Sequence, residues 1–70
     1  MVLERHSDYI KVKIENSDDI LDVFLFVKDS YRIEALQSEI YEYKGTRFSV
    51  GDTLIVERNK IYHAVQDNWE

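Results

Sequence analysis

The segment from Ile20 to Val27 constrains the fold more than any other feature, because all of its residues except Asp22 are apolar. Val and Phe favour extended backbone, so the composition predicts a β-strand over residues 20–28. Successive side chains of a strand point to opposite faces, which places Phe24 and Phe26 on one face. The other face then carries Leu21, Val23, Leu25 and Val27. A strand that is apolar on both faces needs cover on both, from elsewhere in the chain or from a partner.

Residues 9–15 predict the first strand of a β-hairpin whose second strand is the segment 20–28. Residues 9–15 alternate between polar and apolar types, with one face formed by Ile10, Val12 and Ile14, and this period of two is typical of a half-buried strand. The polar cluster at residues 16–19 is typical of a turn. Pairing the two strands across this turn places Lys13 opposite Asp22 and apolar residues opposite each other, which favours the register.

A helix near residues 30–44 is expected to cover the second face. Apolar side chains recur there at the spacing of one helix face, at Ile33, Leu36, Ile40 and Tyr43. Asp29 or Ser30 can cap the start of this helix, and Lys44 followed by Gly45 can end it. The alternative is that residues 31–43 are extended and form two strands, although Gln37 and Glu39 would then place polar groups on the apolar face.

Residues 53–66 predict a second hairpin, in which a two-residue turn at Arg58-Asn59 joins the strands 53–57 and 60–66. The expected pairs are Glu57 with Lys60, Val56 with Ile61, Ile55 with Tyr62, and Leu54 with His63. Residues 47–50 are expected to form a short strand before this hairpin. Between them, Gly51 is expected to supply an unusual backbone angle and Asp52 to cap the turn.

The predicted order of elements is therefore β-β-α-β-β-β. It indicates a small strand-dominated α+β domain, with about five strands in an antiparallel sheet and one amphipathic helix. The alternative is an all-β small barrel of the SH3-like or OB-like kind, with residues 31–43 extended. A chain of 70 residues has room for one domain. We expect it to cover residues 1–70, with residues 1–7 frayed.

The composition excludes most catalytic and cofactor chemistry. The chain has no Cys and two Gly, so it offers neither a thiol nucleophile nor a glycine-rich phosphate loop. Its histidines, His6 and His63, lack metal-ligand spacing, and His63 is expected to be a hydrogen-bonded histidine on the core face. We therefore predict a protein that is not an enzyme and has no catalytic residue, cofactor or metal. The lack of Cys and of a long apolar run predicts a cytoplasmic protein that does not insert into membranes.

The aromatic residues predict a function in protein–protein contact. The Phe residues are expected to fill the core, whereas Tyr and Trp are favoured at interfaces because one end of each side chain is apolar and the other polar. The leading prediction is a small acidic binding module, of phage or regulatory type, that contacts a protein partner or a second copy in a homodimer. The interface candidates are Tyr31, Tyr41, Tyr62 and Trp69.

Two alternative functions depend on charge. A basic and aromatic surface could bind single-stranded nucleic acid, and its candidates are Lys44, Arg47, Phe48, Arg58 and Lys60. The net charge of −5 disfavours this function, because nucleic-acid binding relies on Lys and Arg to neutralise phosphates. Alternatively, an acidic surface could mimic nucleic acid and inhibit a protein with a basic groove. The candidates for that surface are Glu15, Asp18, Asp19 and Asp22.

Overall fold

The structure, a computed structural model, describes residues 1–28 and 32–64. The elements within these residues are β1 (Val2–Arg5), β2 (Tyr9–Lys13), α1 (Ser17–Val27), β3 (Glu34–Gln37), β4 (Ile40–Tyr43), β5 (Thr46–Ser49), β6 (Thr53–Glu57) and β7 (Lys60–Ala64). This strand-dominated α+β architecture confirms the predicted fold class. The described part of the chain has two more strands than expected, in two sheets, and forms no closed barrel.

The larger sheet has the strand order β1-β2-β6-β7, and the smaller sheet has the order β3-β4-β5. Every neighbouring pair in both sheets is antiparallel. At the centre of the larger sheet, Ile10 lies opposite Val56 and Val12 lies opposite Leu54. Because side chains alternate along each strand, these residues share one face, and α1 packs against that face across β2 and β6.

A single apolar core joins the helix and both sheets. The larger sheet and the turn that follows β2 contribute Ile10, Val12, Ile14, Leu54, Val56 and Ile61. Helix α1 contributes Val23, Phe26 and Val27, and the smaller sheet contributes Tyr43 and Phe48. The smaller sheet therefore packs on the same core as the helix.

Residues 17–27 form helix α1, so the predicted strand over residues 20–28 and its pairing with β2 are wrong. The cluster that was interpreted as a turn is the helix cap. Asn16 is the N-cap, its side chain accepts a hydrogen bond from the backbone N–H of Asp18 at 2.9 Å, and Asp19 completes a capping box. The helix ends at Lys28, whose left-handed backbone (φ 49°) lets its N–H donate to the carbonyl of Phe24.

The predicted helix near residues 30–44 is also wrong, since residues 34–37 and 40–43 are β3 and β4. The extended alternative therefore holds for these residues, while Asp29, Ser30 and Tyr31 lie outside the described residues. Lys44 and Gly45 have φ values of 49° and 85°, the backbone of a tight two-residue hairpin turn rather than of a helix end. Tyr41 and Tyr43 face the core with the period of a strand, and Leu36 lies at a bulge and is exposed.

The second predicted hairpin is confirmed within the described residues, because all four expected pairs between β6 and β7 are present. The short strand before it is also present as β5. Gly51 has a φ of 102°, and a carboxylate oxygen of Asp52 accepts a hydrogen bond from the N–H of Ser49 at 2.9 Å. At the other end of the chain, residues 1–7, expected to be frayed, include β1. No helix within residues 1–28 and 32–64 is long and apolar enough to cross a membrane.

Candidate functional site

Helix α1 carries apolar side chains on two opposite faces. Its inner face is buried in the core through Val23, Phe26 and Val27. On the outer face, Leu21 and Leu25 lie one helical turn apart and are 53% and 54% exposed. A helix that is apolar all round is normally covered all round. The expectation that both faces of this segment are covered therefore applies to the helix as well. The described residues cover its inner face and leave Leu21 and Leu25 on the outer face exposed.

A groove beside the exposed leucines extends this apolar surface. It has a volume of about 310 Å³ and lies between α1 and the residues that lead into β3, with apolar walls formed by Ile20, Leu21, Phe24 and Ile33. Phe24 is half-buried and lines the groove next to the exposed Leu21. We call Leu21, Phe24 and Leu25 the outer face of α1. The groove makes this face a continuous apolar strip rather than two isolated leucines.

The outer face has an acidic end and a basic end. Asp18 is exposed in the first helical turn, where a carboxylate interacts favourably with the positive end of the helix dipole. Lys28 is exposed at the C-cap. The charges along this side of the helix therefore run from negative to positive, with the apolar strip between them.

Asp19 fixes the N-terminal end of α1. One carboxylate oxygen of Asp19 accepts hydrogen bonds from the N–H groups of Glu15 at 2.7 Å and Asn16 at 3.0 Å. The other oxygen forms an ion pair with the amino group of Met1, which also donates to the carbonyl of Lys13 at 2.6 Å. Burial alone would raise the pKa of Asp19, but the amino group and the two backbone N–H donors outweigh it and lower that pKa.

Arg58 fixes the C-terminal end of α1. Its guanidinium donates to the carbonyl of Phe26 at 2.9 Å and to the carbonyl of Ser7 at 3.3 Å. It also lies over the Phe26 ring, with 4.1 Å between the guanidinium carbon and the ring centroid. Arg58 therefore joins the helix end to the loop between β1 and β2 and to the turn between β6 and β7.

The two predicted interface residues that the structure describes, Tyr41 and Tyr62, lie on different sheets. Tyr41 is half-buried and stacks on Phe48, with 5.8 Å between the ring centroids. Tyr62 is exposed and, paired with Ile55, lies on the outer face of the larger sheet. Tyr31 and Trp69 lie outside the described residues. Of the four candidates, Tyr62 is thus the one that the structure places on an exposed surface.

The basic and aromatic set is dispersed as well. Phe48 is in the core, and Arg58 is bonded to the helix end. Arg47 is exposed on the smaller sheet, 3.7 Å from a carboxylate oxygen of Glu42. Lys44 and Lys60 are brought together, because they line one shallow groove between the β4–β5 turn and the β6–β7 hairpin. The predicted five residues therefore do not form one surface.

The acidic set differs from expectation in one respect. Glu15 and Asp18 are exposed, but Asp19 is buried in the cap and is not a surface acid. His63 lies on the core face of β7 as expected, opposite Leu54 and with its ring 6.3 Å from that of Phe48. Its side chain is nevertheless 38% exposed, and its Nδ1 lies 3.4 Å from a carboxylate oxygen of Asp52. Within the described residues, no group of three or more His, Cys, Asp or Glu side chains could hold a metal ion.

The sequence predicts Leu21 and Leu25 on the buried face of a strand, whereas both side chains are exposed. A signal for their true position exists in the sequence. Asn16 followed three residues later by Asp19, directly before an apolar run, is typical of a helix start. A helix from this point turns the two leucines away from Val23 and Val27.

Comparison of the chain with protein-family models, with curated proteins and with solved structures finds no match.

Proposed function

We propose that this protein is a non-enzymatic binding module that acts by protein–protein contact, and that the outer face of α1 binds a second copy of the chain. The observation that carries the proposal is the exposure of Leu21 and Leu25 on a helix whose other side is the core. The proposal includes a cytoplasmic location, which the cysteine-free composition favours.

The charges of the outer face favour a second copy as the occupant. In a symmetric dimer the same patch contacts itself, so the patch must be self-complementary. Asp18 and Lys28 are equally far along the chain from the midpoint between Leu21 and Leu25. If two helices pack antiparallel about that midpoint, Asp18 of each protomer lies next to Lys28 of the other. The two helix dipoles are then antiparallel, which is also favourable.

The size of the apolar surface predicts a weak dimer. Covering a half-exposed leucine yields about 1 kcal/mol, so the four leucines of a dimer contribute about 4 kcal/mol. The loss of translational and rotational freedom on association is of similar or larger size. The dimer is therefore expected to depend on the contribution of the neighbouring groove and to dissociate on dilution.

The arrangement supports this function over the two charge-based alternatives. The residues proposed for nucleic-acid binding lie in the core, at the helix end and on separate surfaces. Asp19, one of the four residues proposed for an acidic surface, is buried and accepts hydrogen bonds at the helix cap. By contrast, the residues of the outer face of α1 are adjacent on one rigidly held element.

Sedimentation equilibrium over a wide concentration range tests the proposal. We expect a monomer–dimer equilibrium in the parent protein and a shift to monomer in Leu21→Gln, because the polar side chain removes apolar contact without weakening the helix. The matched control is Leu36→Gln, which alters an exposed leucine on β3 and should leave the equilibrium unchanged. A parent protein that stays monomeric at every concentration would rule out the second copy.

Charge reversal tests the antiparallel arrangement separately. Asp18→Lys places like charges together at both ends of the dimer and should weaken association. Adding Lys28→Asp restores opposite charges and should recover it, and Asp is tolerated in the left-handed backbone at position 28. An equally weak double variant would contradict this arrangement.

A further inference from the structure

A second groove, at the C-terminal end of α1, has an unusual charge. It has a volume of about 410 Å³ and lies between β1, the helix end and the turn between β6 and β7. Its charged lining includes Arg5, Lys28 and Arg58 against one carboxylate, that of Asp22. We call this the cationic groove. Three positive charges and one negative charge give it a net charge of +2, although the chain as a whole carries −5.

The three cations of this groove are not used in ion pairs. Among residues 1–28 and 32–64, no carboxylate pairs with Arg5, Lys28 or Arg58, whereas Arg47 and Lys11 pair with glutamates. Like charges that share a groove repel one another, so this arrangement has a cost in the free protein. An anion that enters the groove would remove that cost.

Arg58 is held in advance in an orientation suited to an anion. A guanidinium has five N–H donors in a planar fork, and the carbonyls of Phe26 and Ser7 each accept a bond from it. Its remaining donors can bond a ligand while these contacts keep the fork in place. A fixed fork loses little entropy when it binds a phosphate or carboxylate in bidentate geometry.

The negative end of the helix dipole does not cancel this attraction. The last carbonyls of a helix ordinarily repel an anion. Here the carbonyl of Phe26 accepts a bond from Arg58, and the carbonyl of Phe24 accepts one from the N–H of Lys28. The bond from Arg58 places a positive guanidinium directly at the helix end, which offsets the negative end of the dipole there.

We propose that the cationic groove binds a small phosphate monoester, with its phosphoryl group between Arg5 and Arg58 and its organic part against the exposed side chain of Leu25. The charge of a phosphate monoester at neutral pH, about −1.5 to −2, matches the net charge of the groove. A phosphoryl group alone does not fill the groove, whose volume lies within the range of about 300–1,000 Å³ typical of small-ligand sites. The apolar part of the lining gives the rest of the ligand a surface to contact.

Titration of the full chain with adenosine monophosphate and with inorganic phosphate, followed by backbone amide shifts in NMR at low ionic strength, tests the inference. We expect saturable binding of both probes and tighter binding of the nucleotide. The shifted amides should belong to residues around Arg5, Ser7, Lys28 and Arg58. The absence of saturable binding of either probe would overturn the proposal, and equal affinities would overturn the contact of the organic part with Leu25.

Two matched arginine variants distinguish binding in the cationic groove from non-specific electrostatic attraction of the anion to the protein. Arg5→Gln removes a cation that makes no ion pair within the described residues, so folding should be unaffected and affinity should fall by about tenfold or more. Arg47→Gln removes an exposed arginine on the smaller sheet and should leave the affinity unchanged. Equal losses in both variants would overturn the proposal.

Leu25 and Lys28 belong both to the cationic groove and to the proposed dimer contact, so we expect nucleotide binding and dimer formation to compete. Leu21 does not line the cationic groove, so Leu21→Gln, which is expected to be monomeric, should bind the nucleotide at least as tightly as the parent protein does. Loss of nucleotide binding in this variant, with the fold intact, would overturn the assignment of the ligand to this groove.

Discussion

The two ends of helix α1 are fixed by opposite chemistry. The N-terminal end is held by the buried carboxylate of Asp19, which receives two backbone N–H groups and the amino group of Met1. The C-terminal end is held by the guanidinium of Arg58, which bonds two carbonyls that lie 32 and 51 residues away. One anchor is acidic, buried and mostly local in sequence, whereas the other is basic, partly exposed and made by distant segments.

The difference between the anchors determines how each end of the helix responds to its surroundings. A buried carboxylate that accepts several hydrogen bonds is costly to neutralise, so the N-terminal anchor is sensitive to acid. A guanidinium stays charged at any accessible pH, so the C-terminal anchor is not. Both anchors orient the same helix, and the outer face of α1 keeps its position only while both are intact.

The largest expected effect comes from removing the buried charge. Asp19→Asn replaces an oxygen acceptor with an NH₂ donor and weakens the contact with the amino group of Met1. We expect it to lower the free energy of unfolding by about 2–3 kcal/mol, measured by urea denaturation. That is a large part of the total for a chain of 70 residues, because domains have about 0.05–0.15 kcal/mol per residue.

Asp18→Asn is the matched control for this variant. It removes a carboxylate from the same helical turn, but one that is exposed and interacts mainly with the helix dipole. Its expected cost is about 0.3–1 kcal/mol. If both variants lowered the free energy of unfolding by similar amounts, Asp19 would not be the N-terminal anchor. The loss would then reflect only the removal of a negative charge near the helix N-terminus.

Acid titration should distinguish the two ends by their pH dependence. The folded-state pKa of Asp19 is below its ordinary value of 3.8, so its stabilising contribution is fully present above that value and is lost as the pH falls through the folded-state pKa. The stability difference between the parent protein and Asp19→Asn should therefore shrink in this range. A difference that stays constant with pH would show that the ionised form of Asp19 contributes nothing.

Local signals explain why the second hairpin could be predicted and α1 could not. In residues 53–64, alternation, a two-residue turn and the pair of Glu57 with Lys60 all favour one register. In α1, the run of Val, Leu and Phe fits a period of two as well as a helical period, because nearly every position is apolar. The capping box decides between them, and its aspartate was interpreted as part of a turn.

Long-range contacts explain why the anchors and the cationic groove could not be predicted. The partner of Asp19 is the amino group of Met1, and this contact requires β1 to pair with β2. Arg58 reaches Phe26 and Ser7 only in the folded chain. The requirement that residues 20–28 be covered on both faces depends on composition alone. It applies to a helix as well as to a strand, but the predicted strand placed Phe24 and Phe26 on the face still to be covered, whereas the structure exposes Leu21 and Leu25.

The smallest expected effect tests the C-terminal anchor. Arg58→Lys keeps the positive charge but loses the planar fork that bonds two carbonyls at once, so we expect a loss of about 1 kcal/mol in the free energy of unfolding. Arg47→Lys alters an exposed ion pair in the same way and should change stability by less than about 0.5 kcal/mol. The loss in Arg58→Lys should be the same at pH 3 and pH 7, because the substitution keeps the positive charge and removes only the fork geometry. A loss that grows with acid would mean that the two ends of the helix are coupled rather than separately anchored.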